Sequence, residues 1–546
     1  MTDHLDTLQE VNSPPNLPIQ ILAGPRGPGL IYQGVTIHQF EDPESEAALW
    51  VNRALGERPR GKDPCLALIF GVGLGWHIRK LTELFPNIKI VVYEPQRDLY
   101  GMFLKYNVLA RNQKATVIHE FSRFATLISQ EVVHQENSNI PLVLTLPGYV
   151  RALPEEGQKF LEKVHSEITR LKVILKTRAA TSSAFMDNLC QNAGLVTQIP
   201  DVMLLKDRFT PRPAFVVGAG PSLSVNGALL SQVGKKGIII AASAALKPLL
   251  SLGVSPQVVI VIESSDTSRY LKLTPAEQKV LDPNTVLLAA CGSHPAHFQV
   301  PGFRKGLFHL SGGEAQLLSQ GYFLPQGGNA GTAAFALAYV WGLNPLILVG
   351  QDQSYWGEQL HAQGTVDSLT ENNRADSIMV PAIGGHMVET NTSLLASINW
   401  LKEAAALIRQ KPKKIHLVNA TAQGARIPDF AEIPLQIVIN NLPDPPKTWE
   451  VHEILGGLPK PSVKELEADL KQMSAIVSQL RTLVRKNLNT AIVEMMRISK
   501  VSAFMKQILA PALAGGEKAN IFEKLAWADE IILRLLQSIL NTPDFE

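Results

Sequence analysis

Three cysteines in 546 residues, Cys65, Cys190 and Cys291, are too few and too scattered for a disulfide framework. None forms a C-x-x-C pair, which argues against a zinc site and makes a reducing, cytoplasmic setting the expectation. An excess of either charge is also missing. Lys and Arg number 51 against 49 Asp and Glu, a net charge of +2, so no basic field is available and nucleic acid is not an expected partner. Long apolar runs are absent too. The most apolar stretch, LAYVWGLNPLILVG, is interrupted by Asn344-Pro345 and reads as helix, turn and strand, so no membrane insertion is expected. The opening segment, MTDHLDTLQEVNSPPNLP, has no basic region followed by an apolar run, the mark of a signal peptide.

What is present is globular material. Hydrophobic residues make up 45% and charged residues 18%, and the length asks for several domains. Residues 1 to about 60 hold turns and short extended segments, IQILAG and LIYQGVTIHQF, before DPESEAALWVNRALG. Asp42 there suits a helix cap and Pro43 a first helical position. From Leu66 strands and helices alternate: LALIF, GVGLGWHIRKLTELF, IKIVVYEP, then TVIHEF and PLVLTLP. A helical, charged connector follows over 151–205. A second alternating series begins at PAFVVGAGPSL and runs through GIIIAA, VVIVIE, TVLLAA, LFHL, PLILVG and KIHLVN. Apolar strands without in–out alternation belong to parallel sheets covered on both faces. After about residue 441 Pro-rich segments lead into VKELEADLKQMSAIVSQLRTLVRKNL and KLAWADEIILRLLQSIL, with helical apolar spacing. The expected fold is α/β: two Rossmann-like parallel-sheet domains, 1–150 and 206–440, joined by the connector and followed by a C-terminal α-helical region, 441–546. That helical region packs on the protein itself or docks another protein.

Two glycine turns carry the candidate chemistry. Gly71, Gly73 and Gly75 follow the first strand, and Glu94 ends the next one. Such a turn seats a nucleotide by close backbone approach, with the acid on a ribose, and resembles that of methyltransferases using S-adenosylmethionine. A short motif of this kind is a weak signal, and the same glycines serve tight strand-to-helix packing. Gly218, Gly220, Pro221 and Ser222 follow the strand AFVV. The glycines permit the turn, Pro221 starts a helix, and Ser222 caps it or donates to a phosphate beside the helix amides. VVIVIE ends in Glu263, with Asp266 behind it, placed for a ribose, a metal or an acceptor. Gly328, Asn329 and Thr332 lie at the start of an alanine-rich helix. PLILVG then delivers Gln351, Asp352, Tyr355 and His361 at a strand end, where loops carry function. A histidine with an ordinary pKa of about 6.5 suits general-base work, so His361 is the first candidate and His386 the second.

Taken in order, IHQFEDPESEA, FGVGLGWHIRKL, GAGPSL, LGVSPQVVIVI, GGNAGTAAFALAY, GLNPLILVGQD with SYWGEQLHAQGT, and VNATAQGARIP resemble the bacterial motility-associated factor (Maf) glycosyltransferases over most of residues 35–435. The resemblance implies an N-terminal Rossmann-like domain, a central domain related to bacterial sialyltransferases, and a helical C-terminal region. It also implies a CMP-activated nonulosonic acid, of pseudaminic or legionaminic type, as donor, and Ser or Thr of flagellin as acceptor. Carried onto this sequence, Gly218, Gly220, Pro221, Ser222, Glu263, Gly328, Asn329 and Thr332 would hold the nucleotide sugar. His361, Asp352, Tyr355 and His386 would serve catalysis, with no obligatory metal or other cofactor. The family commonly has aspartate at the place of Glu263, asparagine at Ala219, and Leu-Ala at Gln353-Ser354. The alternatives are an ATP- and magnesium-dependent hydroxymethylpterin pyrophosphokinase, which shares the GxGPSL turn, a methyltransferase working from the first turn, and a non-catalytic nucleotide-binding scaffold.

Overall fold

The computed structural model describes residues 19–56, 64–106, 108–109, 115–133, 141–209, 211–310, 318, 323–366, 377–442, 450–486 and 518–541. The opening eighteen residues, most of the NNLPDPPKTWE linker and the middle of the C-terminal helical stretch lie outside them. The chain divides into two compact units, Met1–Leu175 and Lys176–Glu546. The boundary falls inside one helix, Pro154–Asn192, which is most of the expected connector.

In the first unit, β1 (Ile19–Leu22), β2 (Gly29–Tyr32) and β3 (Val35–His38) form an antiparallel three-stranded sheet. The helix Pro43–Gly56 follows, its first turn held by the Ser45 N–H donating to Asp42 Oδ1 at 3.1 Å. A four-stranded sheet comes next: β4 (Leu66–Phe70), β5 (Lys89–Tyr93), β6 (Thr116–Ile118) and β7 (Leu142–Thr145). Its order is β6-β5-β4-β7 and every pair is parallel. All five residues of β4 are buried, so both faces are covered, by one core around Leu68, Phe70 and Phe160 and another around Ala67, Ile69 and Ile78.

The second unit is built on an eight-stranded parallel sheet. Its strands are β8 (Ala214–Val217), β9 (Ile238–Ala242), β10 (Val258–Val261), β11 (Val286–Ala290), β12 (Arg304–Phe308), β13 (Leu346–Val349), β16 (Leu417–Asn419) and β17 (Ala431–Glu432). The order β12-β11-β10-β9-β8-β13-β16-β17 means that the chain works outward from β8 to β12 and then returns to β8's other side. A separate hairpin, β14 (Ile378–Pro381) and β15 (Met387–Thr390), stands outside this sheet.

Alternation along the strands sorts the second unit's cores. Ala214, Val216, Ile238, Ile240, Val258 and Ile260 face the helices Ala330–Val340 and Thr392–Arg409. On the other face, Phe215, Val217 and Ile347 form one core, while Val259, Val261, Leu287 and Leu307 form another. That last core includes Leu470 and Val477 of the helix Val463–Lys486 and Ile531 and Leu535 of the helix Lys518–Asn541. The C-terminal helices therefore cover β10–β12 and share their core. Each large apolar side chain so buried contributes about 1.5–3 kcal/mol.

Candidate functional site

The site follows from strand order. Chain direction across the sheet reverses between β8 and β13, and in open α/β sheets ligands bind at the carboxyl ends of strands flanking such a switch. Both GAGPSL and GQDQS leave the sheet there, on the same edge. The parallel ladder runs past the strand ends: the Gly218 N–H donates to Val349 O at 2.9 Å and the Gly220 N–H to Gly350 O at 2.8 Å. Contact this close needs glycine on both sides, since a Cβ on Gly350, whose φ is +63°, would lie 2.5 Å from Gly218 O.

Asp352 clasps the two turns together. Its Oδ1 accepts from the Ser222 N–H at 3.0 Å and its Oδ2 from the Ser222 hydroxyl at 2.7 Å. Burial pushes its carboxyl up to about 7 against the opposing pull of these bonds. Ser222 is fully buried and both its donors are spent on Asp352, so it is not the free phosphate ligand that the sequence suggested. A carboxylate of the chain occupies the head of the turn. Gln353, next in sequence, has a left-handed φ of +49°, held by the Thr390 hydroxyl donating to its carbonyl at 2.7 Å. Strain of this kind gathers at ligand clamps and switches.

His361 returns to the same corner. Its half-buried ring bonds the Ala219 backbone, and the Ala362 N–H donates to Ala219 O at 2.7 Å. Burial lowers its pKa while the Ala219 bond opposes, so the imidazole is neutral at neutral pH. Tyr355 is buried, its phenol accepting from Asn391 Nδ2 at 2.8 Å and its N–H donating to Glu389 O at 2.8 Å. Asn391 was not among the candidates, although an Asn before Thr-Ser is a helix-cap signal; it caps Thr392–Arg409 through the Leu394 N–H at 2.9 Å.

The remaining candidates lie differently. Asn329 and Thr332 abut the corner, because a Cβ on Gly331 would sit 2.6 Å from Gln351 Oε1. Their polar groups nevertheless serve the helix. Asn329 Oδ1 accepts from the Thr332 N–H and its amide donates to Ser397, while the Thr332 hydroxyl accepts from the Gly327 N–H and donates to Asn329 O. They form the helix cap, a role the sequence reading does not give them. Gly328 is exposed at a φ of +100° beside them. Glu263 is half-buried at the end of β10, where burial raises its pKa, and its carbonyl accepts from the His294 N–H at 3.0 Å. His386 is exposed in the tip of the β14–β15 hairpin. His297, not singled out in the sequence, is buried with Nε2 accepting from the Thr267 N–H at 3.2 Å. Among the described residues no three of His, Cys, Asp and Glu are grouped to hold a metal, and no helix is long and apolar enough to cross a membrane.

The first glycine turn is filled from within. Glu94 is fully buried, accepting from the Val72 N–H at 3.0 Å, the Gln96 N–H at 3.0 Å and the Tyr149 hydroxyl at 2.5 Å. The Gly73 N–H donates to the same hydroxyl at 3.0 Å. A Cβ on Gly71 would strike the Tyr149 ring at 2.5 Å, and one on Gly73 would strike His38 Nε2 at 2.1 Å. Tyr149 and His38 thus take up the space where a nucleotide would approach, and Glu94 faces no open crevice. The possible second nucleotide site at Gly71, Gly73, Gly75 and Glu94 is corrected to a self-filled turn. A cleft of about 430 Å³ lies at the opposite, amino edge of the large sheet, lined by Arg212, Lys235 and Glu450 among others, and holds none of the candidate residues.

Comparison with known proteins meets this geometry. A family model described as 6-hydroxymethylpterin diphosphokinase MptE-like matches residues 187–358, from the end of the long helix through β13 to the His361 loop's approach. No curated protein matches. The solved structure of a Maf glycosyltransferase from Magnetospirillum magneticum AMB-1 aligns over 98% of this chain and 94% of its own, with a TM-score of 0.57 and 14% identity. The chain has the fold of that Maf glycosyltransferase. Likeness over nearly the full length takes in both Rossmann-like sheets and the C-terminal helices, whereas the MptE-like match takes in only β8–β13 and their surroundings.

Proposed function

We propose that the protein is a glycosyltransferase that moves a nonulosonic acid from a CMP-sugar to Ser or Thr hydroxyls of flagellin. The observation that carries this is the switch-point corner: a half-buried, neutral His361 bonded to the turn between Gly218 and Gly220, in a chain with the Maf glycosyltransferase fold. With Ser222, Asn329 and Thr332 engaged in the fold and the Gly220 N–H donating to Gly350 O, the nucleotide would lie along the half-exposed backbone at Ala219 and Gly220. His361 accepts the proton of the acceptor hydroxyl. The hydroxyl oxygen bonds the anomeric carbon as the bond from that carbon to the phosphate oxygen breaks, and CMP leaves with the electron pair. One displacement inverts the anomeric centre, and no metal or other cofactor is called on. Asp352 holds the turn in place, and Asn391 steadies Tyr355 in the loop that follows.

The test is incubation with flagellin and CMP-nonulosonate, followed by mass. A gain of one sugar per site supports the reading, and His361→Ala should abolish transfer while CMP binding persists. Unchanged transfer removes His361 as base, and complete, magnesium-reversible loss in chelator overturns the metal-free mechanism. The MptE-like match over 187–358 favours one second reading, an ATP-dependent hydroxymethylpterin pyrophosphokinase. AMP release from ATP and hydroxymethylpterin, with no sugar transfer, would establish it instead.

A further inference from the structure

Among the described residues no cation pairs with the buried carboxylate of Asp352. The Gly218–Ser222 turn has no ionisable side chain, and neither does the helix Ala330–Val340 apart from Tyr339. The loop after β13 brings Tyr355, bonded to Asn391, and His361, bonded to the Ala219 backbone. The hairpin brings Glu389, which accepts from the Ser377 hydroxyl at 2.7 Å. The segment at Gly424, whose neighbour's N–H donates to Asp352 O at 2.8 Å, brings Arg426, paired with Glu432 at 3.1 Å. Among the described residues the negative charge is stabilised by the Ser222 N–H and hydroxyl and by a backbone N–H at Asp352 itself, and the Ser222 donors sit at the head of the turn where an anionic ligand would come. A phosphate placed beside an ionised Asp352, in a site largely out of water, meets a like charge with little screening.

We propose that an anionic nucleotide binds this turn together with one proton, taken up by Asp352, which thereby becomes a hydrogen-bond donor to the ligand's phosphate. The inference rests on the reading of this turn as the nucleotide site. The proton comes from bulk water and ends on a carboxylate oxygen of Asp352, while the Ser222 hydroxyl stays bonded to the same group. Burial already holds this carboxyl near neutrality, so uptake costs little at neutral pH. The ligand's charge raises the bound-state value further. Affinity is then flat below the free value and falls about tenfold per pH unit above it, until the bound value is reached.

The experiment is titration calorimetry of the full chain with the methyl ester of CMP, a phosphodiester with no exchangeable proton near neutrality, in buffers of different ionisation heat at about pH 8. One proton absorbed per ligand in the wild type, and none in Asp352→Asn, is the expected result. The Asn side chain keeps the shape and supplies a permanent N–H, so its affinity should be pH-independent. Binding without proton uptake in the wild type overturns the proposal and leaves the nucleotide reading standing. Uptake that persists in Asp352→Asn also overturns it, because another group then takes the proton. Should that variant not fold, the wild-type slope of affinity against pH, compared with His361→Gln, decides the same question: a slope lost with His361 refutes Asp352. No binding at millimolar ligand overturns the nucleotide reading itself.

Discussion

Glu94 gives the first unit a measurable dependence on pH. Burial lifts its carboxyl from the ordinary 4.5 to about 7, outweighing the bonds from Tyr149, Val72 and Gln96 that pull it down. A folded value above the unfolded one means that the native unit holds the proton more tightly than the unfolded chain. Stability from this group is therefore full below 4.5, is lost as pH rises through about 7, and is level above that. The gap corresponds to roughly 3 kcal/mol. Glu94→Gln cannot ionise and should flatten the profile, although its amide meets the Gln96 N–H donor to donor and costs about 1–3 kcal/mol at every pH. The assay is hydrogen exchange at the Val72 and Gly73 amides, corrected for intrinsic rates, between about pH 5 and pH 8. Protection should fall by about two orders of magnitude across that range in the wild type and stay level in Glu94→Gln. Equal slopes in the two proteins would refute the argument, because the carboxylate would then have to be solvated when folded.

Three further outcomes follow from the packing. Gly73→Ala puts a methyl 2.1 Å from His38 Nε2 at a left-handed φ of +51°, so the first unit should lose stability in urea unfolding. The expected loss is about 2–4 kcal/mol, overpacking plus backbone strain. Leu535→Ala, in the core shared by the C-terminal helices and β10–β12, should cost about 2–5 kcal/mol and lower the melting of the sheet along with the helix; a sheet that melts unchanged would mean the helices fold apart. Asn391→Ala removes a helix cap worth about 1 kcal/mol and the donor to Tyr355, so transfer rate should fall further than thermal stability alone explains.

The sequence made the architecture legible wherever one residue's neighbours sufficed. AFVV, GIIIA and VVIV read as strands covered on both faces because every position is apolar, and they are β8, β9 and β10. Asp42-Pro43 read as a helix start because the cap and its donor are three residues apart. Legibility failed where the decisive partner is remote. Ser222 looks like a free hydroxyl at a helix start, and the carboxylate that consumes it lies 130 positions later. The Gly73 amide looks available to a ligand, and the phenol that takes it lies 76 positions on. Asn329 and Thr332 differ: they sit within a few residues of each other, and their cap was legible from local spacing alone.

The two glycine turns also explain why one remains a candidate for binding and the other does not. In both, an acid from the end of a neighbouring parallel strand accepts a turn amide: Glu94 after β5 takes Val72, and Asp352 after β13 takes Ser222. Both acids are buried and both are pushed up to about 7. Motif and electrostatics therefore do not separate them. What separates them is the residue that follows the switch-point strand. After β7 the chain enters a helix that drives Tyr149 into the glycine turn, where its ring and hydroxyl consume the space and the Gly73 amide. After β13 the chain instead passes through the left-handed Gln353, and the loop comes back with His361 beside Ala219, leaving Ala219 and Gly220 half-exposed. A glycine-rich turn permits a ligand; the side chain supplied across the switch point decides whether the protein has already taken the ligand's place.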